Sequence, residues 1–334
     1  MGAGATIPYH LRPHKAIERN IFIKTLKMLE RWPNINLTDY RYVGFGAAFL
    51  EDFKIMHSEF GITNMDSIEM DKCAFTRQVF NKPYQFVDLF PVSSSDYIKS
   101  GDFKSDKNQI IWLDYADRGY EYQLQDLEAL GSKVDELDVI KITFNCQSDR
   151  FTNYNQVYNK FTTNETLKTY APPNLQRSDL SQDFASVLRV MAIRALQRGI
   201  SNGRKQLIYT NITAFEYADG AMMTTMTGII TKANEFDDIL ELSGLDNFPF
   251  LSLQEVTTWK TKSYSIQVPV MTVPERIEVD KKLTVFDSKT IASGLQFKYG
   301  SEEDNGENNA HHEHLIDGYV KFYSYLPYYS RVTI

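Results

Sequence analysis

Apolar residues recur along this chain in two rhythms, helical spacing and short strand-like runs, and their order predicts a mostly parallel α/β sheet. From His10 to Trp32, Ile17, Ile21, Leu26 and Leu29 fall at roughly helical spacing, and Pro13 sits where a first turn tolerates a missing N–H, so one helix is expected. It should end before Pro33, with Trp32 to Leu37 as a loop. A strand-like run, Tyr40 to Gly44, leads through a glycine turn into a helical pattern from Ala48 to Phe60 and a second strand, Met65 to Met70. That is a βαβ unit. Further strands are expected at Tyr84 to Leu89, Gln109 to Asp114 and Val139 to Asn145, with helix-length segments between most of them, which favours parallel pairing. Leu180 to Gly199 again has helical spacing, with Gly199 and Gly203 marking its end. Two β-rich runs, Gln206 to Tyr217 and Ala221 to Ile230, then flank Ala218-Asp219-Gly220, a hairpin turn signal.

Beyond Thr231 the pattern loosens into acidic and mixed segments with Pro269 and Pro274. The acidic, Asn-rich stretch Ser301 to Asn309 reads as a mobile loop, and the end, Tyr319 to Tyr329, is dense in Tyr and Phe. No internal repeat is visible. The expected boundaries are an N-terminal helical segment at 1–36, a central α/β domain at 37–232 and a C-terminal α+β appendage at 233–334.

Composition narrows the classes. With 334 residues and 43% apolar content, the chain can bury a large core without covalent staples. Cys73 and Cys146 are the only cysteines and form no CxxC pair, which excludes a disulfide framework and fits a reducing cytoplasm. No apolar run approaches the roughly 20 residues of a membrane helix, and no export signal opens the sequence. The net charge of -7 disfavours general attraction to nucleic acid, leaving only local basic patches as a route to it.

Candidate chemistry gathers at the predicted strand ends. Tyr42-Val43-Gly44-Phe45-Gly46-Ala47-Ala48 runs from a strand through glycines into a helix, where backbone amides can meet a ligand closely. Glu69, at the expected end of the second strand, can accept two hydrogen bonds from ribose hydroxyls. Asp88, at the expected end of the third, is a side-chain acceptor for an adenine amino group. Trp112-Leu113-Asp114-Tyr115-Ala116-Asp117 ends the fourth strand and faces the crevice where open α/β sheets bind ligands. Asp114 and Asp117 suit a general base and an orienting group, or else cap the following loop; the sequence leaves both open. Asn145, ending the fifth strand, is a weaker candidate for substrate contact.

With these residues in this order, the chain resembles class I S-adenosylmethionine-dependent methyltransferases, and more narrowly the prokaryotic proteins labelled "putative O-methyltransferases", some of which look like members of phage-defence gene clusters. The resemblance covers Tyr40 to Ile230 and implies a Rossmann-like, doubly wound, mostly parallel sheet ending in an antiparallel hairpin, with an N-terminal helix and the C-terminal appendage. Gly44 and Gly46 would line the methionine portion of S-adenosyl-L-methionine, Glu69 would bind its ribose, and Asp88 would lie beside its adenine. Asp114 would face the methyl donor, with Tyr115 and Asp117 completing the candidate catalytic set. Tyr42 stands where the family has an acidic residue and Ala48 where it has a third glycine. The Asp/Asn-Pro-Pro-aromatic tetrapeptide of amino-methylating nucleic-acid enzymes is absent, which disfavours exocyclic-amine methylation of DNA.

The resemblance therefore implies a methyltransferase of unknown acceptor with a place in antiviral defence. The alternative is a catalytically silent subunit that scaffolds or regulates a defence complex and meets protein partners through its C-terminal region. A nicotinamide-dependent oxidoreductase ranks last, since no Tyr-x-x-x-Lys set accompanies the glycines. Three further clusters take bland readings. His311-His312-Glu313-His314 lacks the spacing of a helical zinc motif, so no metal is expected. Arg12, His14, Lys15 and Arg19 are read as the wet face of an amphipathic helix rather than a phosphate clamp. Tyr319, Phe322, Tyr323, Tyr325, Tyr328 and Tyr329 are read as core or interface packing rather than a base-stacking platform.

Overall fold

The chain alternates strand and helix five times before its hairpin, as the periodicity requires, in a computed structural model that describes residues 12–100, 103, 106–147, 154–203, 206–253, 263–299 and 306–327. Helix α1 (Pro13–Leu29) precedes β1 (Arg41–Phe45); α2 (Glu51–Phe60), β2 (Asn64–Ile68), α3 (Lys72–Asn81) and β3 (Val87–Phe90) follow. Next come α4 (Ser94–Lys99), β4 (Gln109–Asp114), α5 (Tyr120–Gly131) and β5 (Val139–Asn145). Helices α6 (Tyr154–Thr163), α7 (Leu167–Tyr170), α8 (Arg177–Gln182) and α9 (Phe184–Asn202) lead to the hairpin of β6 (Ile208–Ala218) and β7 (Met222–Thr231). The remainder holds α10 (Phe236–Ser243), the short β8 (Tyr264–Ile266), α11 (Val273–Asp280), α12 (Ser288–Ser293) and α13 (Gly306–Phe322).

The strand order is β3-β2-β1-β4-β5-β7-β6-β8. Strands β1 to β5 pair in parallel, and β7 runs antiparallel to β5. The order turns back on itself between β1 and β4, the kind of switch point at which open α/β sheets leave a crevice beyond their carboxyl ends. Five consecutive buried residues in β4 and six in β5 show why these strands read as continuous apolar runs: both faces of the sheet are covered. One face packs Ile140, Ile142 and Phe144 into a core with Leu124, Leu127, Leu188, Met191 and Leu196. On the other, Lys141 is fully buried with its ammonium 4.7 Å from the centres of both the Phe22 and Trp112 rings.

The chain divides into two compact units. The larger contains Phe22–Glu216 and Gly220–Tyr264; the smaller contains Tyr9–Ile21, Tyr217–Asp219 and Ser265–Ile334. In the smaller unit, Val279, Leu283, Ile291, Ala292, Ile316 and Tyr319 form a core, and the Tyr319 hydroxyl donates to Asp280 at 2.6 Å. No helix among the described residues is long and apolar enough to cross a membrane.

Several expectations are corrected. Gly199 does not end its helix: α9 continues to Asn202, and a Cβ at Gly199 would come within 2.0 Å of the Glu128 carbonyl oxygen on α5. That glycine permits close helix contact rather than a stop. Of the expected mobile loop, Gly306 to Asn309 begin α13, and 301–305 lie outside the described residues. The basic N-terminal residues are not a wet face, because Arg12, Lys15 and Arg19 are buried and the backbone N–H of Lys15 donates to Asp219 at 2.8 Å. Burial works against a charged His14, but its hydrogen bonds to Asp219 and the Ala218 carbonyl outweigh this and raise its pKa. Of the terminal aromatics, Tyr319, Phe322 and Tyr325 are buried, Tyr323 is 37% exposed, and Tyr328 and Tyr329 lie outside the described residues.

Candidate functional site

Strand register decides which candidates can meet. Phe45 of β1 pairs with Ile68 of β2, so the turn beginning at Gly46 and the carboxylate of Glu69 leave adjacent strands side by side. On the other flank, Gly44 pairs with Trp112, which brings Asp114 at the end of β4 to the same edge. Asp114 in turn pairs with Thr143, two residues before Asn145 at the end of β5. Gly46, Glu69, Asp114 and Asn145 thus share one carboxyl edge. Asp88 does not. The third strand begins at Val87 instead of ending at Leu89, so Asp88 pairs with Asp66 and lies two positions short of the tip, where Phe90 stands instead.

Packing fixes the glycine turn. Tyr42 and Gly44 share a face of β1, and a Cβ at Gly44 would lie 2.9 Å from the Tyr42 hydroxyl oxygen, so the glycine makes room for the ring. Tyr42 is itself buried edge-on against Phe53, with ring centres 5.0 Å apart. A Cβ at Gly46 would meet Ser67 Oγ at 2.3 Å, Leu50 Cδ2 at 2.7 Å and Gln78 Nε2 at 2.8 Å. Ala47 at φ 43° and Leu50 at φ 52° adopt the left-handed region that side chains disfavour. The surrounding bonds over-determine that strain: the Leu50 N–H donates to the Gly46 carbonyl at 3.0 Å, and Asn81 Nδ2 donates to the Ala48 carbonyl at 2.8 Å.

Glu69 stands half-buried just past β2, its Oε1 accepting from the Asp71 N–H at 2.8 Å. Burial pushes its carboxyl above the usual range against that hydrogen bond. Asp71 is committed elsewhere, accepting from the Ala74 N–H at 2.8 Å as the cap of α3. Met70, between them, is 73% exposed.

The hexapeptide after β4 separates into distinct roles. Asp114 ends the strand half-buried. The Tyr115 ring lies in the core between Phe45 and Phe144, and its hydroxyl donates to Asp126 at 3.1 Å, so it does not face the edge. Burial raises that phenol well above its usual value. Asp117 closes the loop: its oxygens accept from the Gly119 N–H at 2.8 Å, Gln123 Nε2 at 2.7 Å and the Tyr122 hydroxyl at 2.8 Å. Asn145 steadies the same loop from β5, donating to the Ala116 carbonyl at 2.9 Å.

Two features escaped the sequence reading. Gln78 is fully buried against Gly46, accepting from the Ser67 hydroxyl at 3.2 Å, while its Nε2 has no hydrogen-bond partner among the described residues. The signal was available, since Gln78 falls four residues after buried Ala74 on the inward face of α3. Asp126 is buried on α5 and accepts from Ser94 at 2.6 Å, Ser95 at 2.5 Å and Tyr115. Burial raises its carboxyl despite those donors. No group of three or more metal-capable side chains occurs among the described residues. His312 is turned inward instead, its Nδ1 accepting from the Tyr299 N–H at 3.1 Å and its Nε2 lying 3.1 Å from the Ala292 carbonyl.

Comparison with known proteins adds the following. A family model described as "Putative O-methyltransferase" matches residues 7–334. No curated protein matches the chain. Among solved structures, a fibrillarin/Nop5p complex is similar at 14% identity over 37% of this chain and 58% of that one, with a TM-score of 0.30. Spermidine synthase from Thermotoga maritima is similar at 11% identity over 63% and 60%, with a TM-score of 0.37. The N-methyltransferase NodS from Bradyrhizobium japonicum WM9 follows at 8% identity over 64% and 96%, with a TM-score of 0.36. This chain spans less than two thirds of the first two, and likenesses of this size carry no functional weight.

Proposed function

This chain belongs to the family described as "Putative O-methyltransferase", and we propose that it binds S-adenosyl-L-methionine at the carboxyl edge of β1, β2 and β4 and methylates an acceptor hydroxyl there. The observation that carries the reading is the pairing of Phe45 with Ile68, which sets the glycine turn beside Glu69. A carboxylate that can accept from two ribose hydroxyls then stands next to backbone amides and to the exposed, apolar Met70. That donor set fits an adenosyl ligand.

When bound, the cofactor supplies an electrophilic methyl group. The chain has to hold the acceptor in line and take up one proton, and methyl transfer depends chiefly on the first of these. Asp114 is our candidate for both tasks, because Tyr115 is turned to the core and Asp117 is engaged in the α5 turn. Gly44, Gly46 and Glu69 are the proposed cofactor-binding residues. Asp88 drops to an unsupported candidate, since β3 carries it away from the edge.

Titration calorimetry of the full chain with S-adenosylmethionine tests this. We expect saturable one-site binding, weakened by on the order of tenfold or more in Glu69→Ala, the loss of charge-assisted hydrogen bonds. Absence of binding by the unmodified chain would sink the reading. A non-catalytic subunit of the same fold is the second reading, favoured by the structural engagement of Tyr115 and Asp117. It expects cofactor binding without transfer of a labelled methyl group to any acceptor fraction, whereas an enzyme would label one and lose the label in Asp114→Asn.

A further inference from the structure

Helix α9 is apolar over most of its length, and Arg189 stands on its buried face with its side chain fully withdrawn from solvent. One terminal nitrogen is engaged: Nη1 donates to Glu216 Oε1 at 2.9 Å and to Thr224 Oγ1 at 2.6 Å. The other two are not. Nε and Nη2 are buried and have no hydrogen-bond partner among the described residues. Leaving donors of a cationic group in that state is costly, because their hydration is surrendered and nothing replaces it.

The unpartnered pair is chemically particular. Nε and Nη2 lie on one edge of the planar guanidinium with their N–H bonds nearly parallel, the fork that receives a carboxylate or phosphate through two hydrogen bonds. A purely structural ion pair with Glu216 leaves that edge idle. Glu216 is 27% exposed and connects the guanidinium to the surface, and its Oε1 is shared with the Ser263 hydroxyl at 2.6 Å. Burial pushes the neighbouring Cys146 thiol up to about 12, so no thiolate competes for the fork.

Its place in the fold gives the fork a use. Thr224, which Nη1 holds, pairs with Phe144, one residue before the carboxyl end of β5. Asp114 ends the adjacent β4, paired with Thr143. Arg189 is therefore held near the carboxyl edge, at a strand two along from that of Asp114 and on the side away from Glu69.

We infer that Arg189 is the docking point for an oxyanion, a carboxylate or phosphate group carried by the methyl acceptor. That the methyl acceptor carries this group rests on the methyltransferase reading; the oxyanion site rests on Arg189 itself. Glu216 sets its strength, because its charge offsets part of the guanidinium's attraction for a second anion.

The test is titration calorimetry of the full chain with two probes, inorganic phosphate and acetate, without S-adenosylmethionine. The unmodified chain should bind at least one probe, and phosphate alone or acetate alone would identify the group the acceptor carries. Arg189→Lys keeps the charge but removes the fork, and should weaken binding by on the order of tenfold or more. Glu216→Gln should tighten it, an arm that holds even where the lysine variant fails to fold. S-adenosylmethionine affinity should be unchanged in both variants. Binding of neither probe by the unmodified chain, equal binding by Arg189→Lys, or no gain in Glu216→Gln each overturns the inference. Oxyanion binding that depends on Arg189 in a chain that ignores S-adenosylmethionine would sink the methyltransferase reading and leave this site standing.

Discussion

Glu69 carries two opposed demands. Its burial raises its pKa, yet only the ionised carboxylate can accept from two hydroxyls at once. Protonation removes one acceptor site, so S-adenosylmethionine affinity should fall as pH drops through the raised pKa, with the loss beginning above the ordinary glutamate range. Binding measured from pH 8 down to pH 4 should show that decline, and Glu69→Gln should be weaker and nearly flat; a decline of equal size in the variant would remove Glu69 from the site. That Glu69 stands just past the second strand was legible from the strand's apolar run; its part in holding the cofactor is what this titration tests. The neighbouring assignments were harder to read. Asp114, Tyr115 and Asp117 fall in four consecutive residues, and sequence alone does not say which turns outward. Phe45 and Phe144 draw the Tyr115 ring inward, while the Gly119 N–H and the Tyr122 hydroxyl claim Asp117. Asp88 was misplaced because β3 starts three residues later than its aromatic run suggests: Tyr84 and Phe86 stack on each other, ring centres 4.9 Å apart, rather than joining the strand.

The elements around the turn are built on close approach, which makes small substitutions informative. Gly46→Ala would force a methyl against Ser67, Leu50 and Gln78, and overpacking of this kind costs about 1–3 kcal/mol. Because the strain falls on the turn, cofactor affinity should drop with it. Ala47→Gly should act in the opposite direction on stability. It relieves a left-handed φ of 43°, worth about 1–2 kcal/mol, against the extra chain entropy glycine brings to the unfolded state, about 0.5–1 kcal/mol. Urea unfolding should show a higher midpoint for Ala47→Gly and a lower one for Gly46→Ala, with unchanged slopes; a fall for Ala47→Gly would mean that the turn's geometry is not strained. At the helix level, Gly199→Ala should also lower the midpoint, since its methyl would have to displace the α5 backbone at Glu128. Sequence periodicity marked this glycine as punctuation. It could not show that a glycine inside a helix serves a neighbour 71 positions earlier in the chain.

At the scale of the whole molecule, the parallel core and the closing hairpin were legible because each helix and strand carried its own period, while the three-residue β8 and the late start of β3 were too short to have one. Nor did any sequence rhythm announce Asp138, on which the amino edge of the sheet depends. It is buried just before β5, and its carboxylate accepts from the backbone N–H groups of Gln109 and Asp135, each at 2.8 Å, while its carbonyl accepts from the Ile230 N–H at 2.9 Å. It thus joins the start of β4, the start of β5 and the end of β7. Burial pushes the Asp138 carboxyl up to about 7 despite those donors. A carboxyl raised in the folded state binds its proton more tightly there than in the unfolded chain, so its stabilising contribution is complete below the unfolded pKa and is lost as pH climbs through 7. Across that window the slope approaches about 1.4 kcal/mol per pH unit. Asp66, Glu69 and Asp126, raised for the same reason, act in the same direction, and Asp219, held low by His14 and the Lys15 N–H, acts against them. Asp138→Asn separates this group from the rest. It should be less stable than the unmodified chain at pH 5, because an amide nitrogen now faces backbone donors, and should approach it by pH 8 as the native carboxylate ionises. Thermal unfolding of both proteins across that range measures the difference, and a gap that stays constant with pH would show that Asp138 is ionised throughout and that burial does not govern it.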